Sequence, residues 1–222
     1  MSLVPAGRSI EAVLFDMDGT LILTEDRTDR AVLALLAEHH VDVPPGFDLT
    51  DFHGVTWETS ARNLKVRWPA LQDVDIARSL QTHFHQTFIT DPPPVVPGAV
   101  EAVREAAASF PVAIVTSSNR ETLELVCQQL QFEELLGATV GAEDCSESKP
   151  HPEPFLLGAE RLAVSPKRCL IFEDSGAGVQ AGLDSGATVI AIGSASGYEP
   201  AIPDYTDLPE GFFSALVQEA HG

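Results

Sequence analysis

Five short apolar runs punctuate the chain, each breaking off into polar or glycine-rich sequence: residues 13–15, 112–115, 139–140, 170–172 and 188–192. Runs without polar alternation predict strands buried on both faces. Between several of them, apolar positions recur at helical spacing over residues 100–108, 120–130 and 154–162. Pro97 and Gly98 precede the first of these helices, as a turn leading into it. Strands alternating with helices predict βαβ units, and therefore an α/β fold with a doubly wound parallel sheet.

Residues 21–90 break this alternation. Ala31, Val32, Leu35 and Leu36 mark a helix over 28–39, a second is predicted over 56–66 and a third over 74–88, with no strand pattern among them. The chain therefore divides into a core of residues 1–20 and 91–222 and an all-helical insert of residues 21–90. Pro92, Pro93, Pro94 and Pro97 stiffen the return to the core.

The polar residues that end the strands carry the candidate chemistry. The first run gives way to Asp16, Met17, Asp18, Gly19 and Thr20. Ligands of open α/β sheets bind at the carboxyl ends of the strands, so these acids are candidate site residues, although a solvated Asp-Gly turn would also account for the segment alone. The second run leads into Thr116, Ser117 and Ser118, then Asn119 and Arg120 at a helix start. Hydroxyls and free N–H groups there suit a phosphate, and equally a simple helix cap. SKPHPEPF supplies Lys149, and the fourth run ends in a second acidic pair, Glu173 and Asp174. Independent solvated turns do not explain all four in this order. Asp16, Asp18 and Asp174 gathered at one sheet edge would need a cation to offset their repulsion, and Mg²⁺, which takes oxygen ligands and bridges to phosphates, is the expected ion.

Composition narrows the partners. Among 222 residues, 33 acids against 13 Lys and Arg give a formal charge of −20, which argues against a nucleic-acid partner. Cys127, Cys145 and Cys169 are scattered, with no zinc or disulfide spacing, and fit a reducing compartment. The segment MSLVPAGRSIEAVLF lacks the long apolar region of a signal peptide, and no run approaches a membrane span. A cytoplasmic protein with no membrane partner is expected.

DMDGT, VTSSNR, SKPHPEPF and FEDSGAGVQAGLDSGA, in this order and spacing, resemble the haloacid dehalogenase-like superfamily over nearly the whole chain. EDSGAGVQAG is similar to the branch containing beta-phosphoglucomutase and small-metabolite phosphatases. The resemblance implies that the helical insert is a cap governing substrate choice. It implies that Asp16 is a nucleophile forming an aspartyl-phosphate, and that Asp18 is the general acid and base. Thr116 and Lys149 would hold the transferring phosphoryl oxygens. Mg²⁺ would be bound by the Asp16 carboxylate, the Asp18 backbone carbonyl and Asp174, with Glu173 in support. Dehalogenation in this family does not use an aspartate at the Asp18 position, so phosphoryl transfer is favoured.

Within the insert, FHGVTWETSARNL resembles the family's specificity loop, which begins at a glycine, making Gly54, Thr56 and Trp57 candidate substrate contacts. Mutase-like sequences carry an arginine soon after that glycine, and this chain has none. Only Arg120, beside Asn119, offers a second cationic site, so hydrolysis is preferred. The expectation is a Mg²⁺-dependent phosphatase acting on a small phosphomonoester such as a sugar phosphate, as a monomer or weak homo-oligomer. The alternative is a beta-phosphoglucomutase-type mutase. Leu23 stands where the family commonly has an aspartate, which bears on a contact at the hinge to the cap, not on the catalytic pair. Three other readings are weaker. His83 and His85 are poorly spaced for a metal. Gly176, Gly178 and Gly182 miss the dinucleotide spacing by one. A non-catalytic binding module would have lost one of Asp16, Asp18, Lys149 or Asp174.

Overall fold

The computed structural model describes residues 3–53, 55–193 and 197–219. The chain forms two compact units, Met1–Ile22 with Val95–Gly222, and Leu23–Pro94.

The first unit is built on β1 (Ala12–Phe15), β2 (Val112–Val115), β3 (Ala138–Val140), β4 (Cys169–Glu173), β5 (Thr188–Ile192) and β6 (Ala201–Ile202). They form one parallel sheet in the order β3-β2-β1-β4-β5-β6. Every residue of β1, β2, β4 and β5 is buried, as unbroken apolar runs require when both sheet faces are covered. On one face Leu14, Val115 and Ile171 pack with Phe155 of α6 (Glu153–Arg161) and Val179 of α7 (Gly176–Asp184). On the other, the rings of Phe15 and Phe172 stack at 5.1 Å, with Tyr205 and Phe213 of α8 (Phe212–Glu219) against Phe172. The other core helices are α4 (Ala99–Ala107) and α5 (Arg120–Leu130).

Strand order reverses direction between β1 and β4. Connections from β1 proceed outward through β2 and β3, those from β4 through β5 and β6, so the crevice for a ligand opens at the carboxyl ends of β1 and β4. Glu173 is the last residue of β4, paired with Ala191, instead of following the strand. β6 and α8 have no counterpart in the sequence reading, because two residues between Pro200 and Pro203 are too short to show a pattern.

The second unit holds α1 (Glu25–Glu38), α2 (Trp57–Arg67) and α3 (Ile76–Thr90). Each buries one stripe: Ala31, Val32, Leu35 and Leu36 on α1, Leu64 on α2, and Ile76, Leu80, Phe84 and Phe88 on α3. Helix α1 starts three residues earlier than apolar spacing predicts, since Arg27 and Thr28 are themselves buried. Arg27 closes the base of the unit. It donates to the carbonyls of Asp91 and Pro92 and pairs with Asp26 and Asp91. Among the described residues, no helix is long and apolar enough to cross a membrane.

Candidate active site

The end of β1 delivers Asp16 into the crevice with its ladder still intact, the Asp16 N–H donating to the Phe172 carbonyl at 3.0 Å. The chain must then turn sharply. Gly19 has φ +82°, and a Cβ there would lie 2.0 Å from Asp174 Oδ2, so a glycine is required by both conformation and space. The turn brings Thr20 back, and its hydroxyl donates to Asp174 Oδ1 at 2.9 Å. The ends of β1 and β4 are thereby tied through a residue that sequence reasoning did not single out.

Lys149 reaches the same point from the segment after β3. Its Nζ donates to Asp16 Oδ1 at 2.6 Å, Glu173 Oε1 at 2.9 Å and the Val115 carbonyl at 3.1 Å, and it lies 4.7 Å from the Phe155 ring centroid. With its side chain only 3% exposed, this is a buried cation and not a solvated surface lysine. Glu173 is fixed from the other side, its Oε2 accepting from the Ser175 N–H and hydroxyl. Helix α7 passes so close that a Cβ at Gly178 would sit 1.6 Å from Glu173 Oε1. The glycines at 178 and 182 thus serve close packing, since a Cβ at Gly182 would lie 2.7 Å from the Val189 side chain.

The turn after β2 meets Asp18. The hydroxyls of Thr116 and Ser118 donate to Asp18 Oδ2 at 2.9 and 2.8 Å, and the Thr116 oxygen accepts from the Ser118 N–H. Ser117 stands between them, partly buried. Asn119 caps α5, accepting from the Thr122 N–H. The guanidinium of Arg120, a candidate for substrate, is turned onto Asp144 instead.

Burial dominates the electrostatics. It lifts the Asp16 carboxyl to about 7, with Lys149 opposing and Glu173 and Asp18 reinforcing the rise. It lifts Asp174 to about 9, with Asp16 and Glu173 adding to it. Burial opposes the Lys149 charge, but Asp16 and Glu173 outweigh it and hold that amine above its usual range. Ligand atoms of Asp16, Glu173 and Asp174 lie within 4.8 Å of one another. Three carboxylates against one ammonium leave a deficit of positive charge, and an all-oxygen donor set of that kind suits a hard divalent cation.

The candidates in the helical unit have partners of their own. Thr56 caps α2, accepting from the Thr59 N–H. The Trp57 ring packs edge-on against Phe84 at 5.4 Å. Gly54 lies outside the described residues. His83 bonds Glu38 at 2.9 Å.

Carboxylates, a buried lysine and hydroxyls converging at the switch point of a parallel sheet define an α/β enzyme built to handle an anionic group. The sequence profile of haloacid dehalogenase-like hydrolases matches residues 10–186, and the chain belongs to this family. Hexitol phosphatase B of Escherichia coli strain K12 is 32% identical over 176 residues, covering 76% of this chain and 77% of that one. Fructose-1-phosphate phosphatase YqaB of the same strain is 26% identical over 180 residues, covering 81% and 95%. Among solved structures, CbbY of Rhodobacter sphaeroides in complex with phosphate superimposes with a TM-score of 0.74 at 25% identity, covering 90% of this chain and 96% of that one.

Proposed function

We propose that this hydrolase is a Mg²⁺-dependent phosphatase of small phosphomonoesters, with a sugar phosphate or related metabolite as substrate. The observation that carries the reading is the buried Asp16 carboxylate, 2.6 Å from Lys149 Nζ, beside an Asp18 carboxylate held by two hydroxyls. Asp16 attacks phosphorus, a new O–P bond forms, and the ester O–P bond breaks as Asp18 gives its proton to the departing alcohol oxygen. Water then attacks the aspartyl-phosphate, Asp18 takes its proton, and phosphate leaves with Asp16 restored. Lys149 and Thr116 hold the phosphoryl oxygens as charge spreads over them. Asp16, Asp174 and the Asp18 carbonyl would hold Mg²⁺, with Glu173, already engaged by Lys149 and Ser175, in support. When bound, the ion supplies charge neutralisation at the phosphoryl group.

The relatives' names support a sugar phosphate as the substrate class. Arg120's commitment to Asp144 weighs against a mutase, which must hold two phosphates. Residues 23–94 act as the cap that governs substrate choice. The enzyme works in the cytoplasm as a monomer or weak homo-oligomer. The test is phosphate release from a panel of phosphorylated sugars and polyols, with Mg²⁺ and with chelator. A narrow set of substrates, silent under chelation, is expected, and full activity in chelator would overturn the metal role.

A further inference from the structure

Arg120 and the start of α5 stand close to the reacting group. Ser118 touches Asp18, and two residues of chain span at most about 7 Å, so the far end of a sugar phosphate can reach them. A helix start with an adjacent guanidinium is where a second anionic group would be held. Here both are already taken by the chain's own acids. Both Oε atoms of Glu143 accept from the Arg120 N–H, at 3.2 and 2.9 Å. The guanidinium is paired with Asp144, which also accepts from the Gly141 N–H at 2.9 Å and from Arg161 at 2.8 Å. The Arg161 hydrogen bond, the Gly141 N–H and the Arg120 charge hold the Asp144 carboxyl down to about 2, against some desolvation, so it stays anionic. The Ala142 N–H donates to the Ser118 carbonyl at 2.9 Å, clipping this acidic segment to the turn that touches Asp18. Asn119 gives its carbonyl to Thr122, and its amide nitrogen is buried.

We propose that Glu143 and Asp144 are specificity-determining residues that keep a second anionic group out, so that the enzyme takes monophosphates with an uncharged far end and discriminates against bisphosphates. The proposal rests on the phosphatase reading above. A bisphosphate would have to displace a carboxylate from the helix start and lie against like charge, with the nearby guanidinium already neutralised.

The test compares kcat/KM for fructose 1-phosphate and fructose 1,6-bisphosphate, and for the glucose 1-phosphate and 1,6-bisphosphate pair, in the wild type, Glu143→Gln and Glu143→Gln/Asp144→Asn. The wild type is expected to prefer the monophosphate. Glu143→Gln should narrow that preference about fivefold and the double variant about tenfold or more, mainly through the bisphosphate KM, with monophosphate turnover within about threefold of wild type. The wild-type preference should also shrink with added salt, which a merely structural role for Glu143 would not produce. Equal use of both substrates by the wild type, or variants that lose both alike, would overturn the proposal. No turnover of any phosphomonoester by the wild type would instead overturn the phosphatase reading, and the proposal with it.

Discussion

In the α/β unit, Asp16, Glu173 and Lys149 are buried around one point, with Asp174 against them, whereas in the helical unit Arg27 is the one buried charge among the described residues and its acidic partners remain more than half exposed. The first arrangement concentrates like charge where water is scarce, which works against stability. The second spreads its charges so that each acid keeps both water and a cation. Groups crowded at a cost to the fold point to a functional site, and the proposed mechanism uses these. Substitutions in the first unit should therefore change activity more than stability, and in the second the reverse.

The strongest way to break that contrast is Asp16→Asn. Loss of the nucleophile should lower turnover by about 10⁴-fold or more while the circular dichroism spectrum stays native. Retained phosphate release would sink the mechanism. Asp18→Asn comes next, with a loss of about 10² to 10⁴-fold, because positioned proton transfer is removed and the nucleophile stays. Rapid-quench kinetics should find phosphoryl-enzyme still forming from a substrate with a good leaving group, where Asp16→Asn forms none.

Much of this candidate site was legible in the sequence because most of its components follow strand ends, and the order of the strands carries those ends to one edge. Asp16, Asp18, Thr116 and Asp174 needed only that, whereas Lys149, on the segment after β3, was marked by SKPHPEPF and the resemblance it carries. What the sequence hid depends on packing between distant segments. Nothing adjacent to Lys149 foretells its burial between Asp16, Glu173 and the Val115 carbonyl. Arg120 looked free because Asp144, which holds it, is 24 residues away. Trp57 falls at the start of the helix predicted over 56–66, but its partner, Phe84 of α3, is distant in sequence and gave no sign of the packing that occupies the ring. Thr20 was hidden for the same reason, its partner Asp174 being 154 residues away.

A smaller effect is expected from pH. The carboxyls of Asp16 and Asp174 rise to about 7 and 9 in the fold, against about 3.9 in the unfolded chain. Between those limits the folded protein holds more protons than the unfolded, so their contribution to stability is complete below about pH 4 and is lost as pH rises through 7 and 9. In chelator, the melting temperature should fall by several degrees between pH 6 and pH 8.5. Mg²⁺ should raise it more at pH 8.5 than at pH 6, since the ion competes with protons for the same oxygens. Asp174→Asn should flatten the slope in chelator, and an unchanged slope in that variant would show that burial of this carboxyl is not its source.

The smallest change tests the helical unit. Arg27→Ala removes the hydrogen bonds to the Asp91 and Pro92 carbonyls but strands no acid, because Asp26 and Asp91 keep Arg30 at 3.0 and 2.9 Å. The loss should therefore be that of a few hydrogen bonds, about 1–3 kcal/mol in urea unfolding, and not that of a buried unpaired charge. Arg27→Lys should recover only part of it, since an ammonium cannot fork between two carbonyls and two carboxylates as a guanidinium does. If Arg27→Ala instead left stability unchanged, the helical unit would be held by its apolar stripe alone. The contrast between a unit that buries charge for chemistry and one that buries a charge for its own base would then lose its second half.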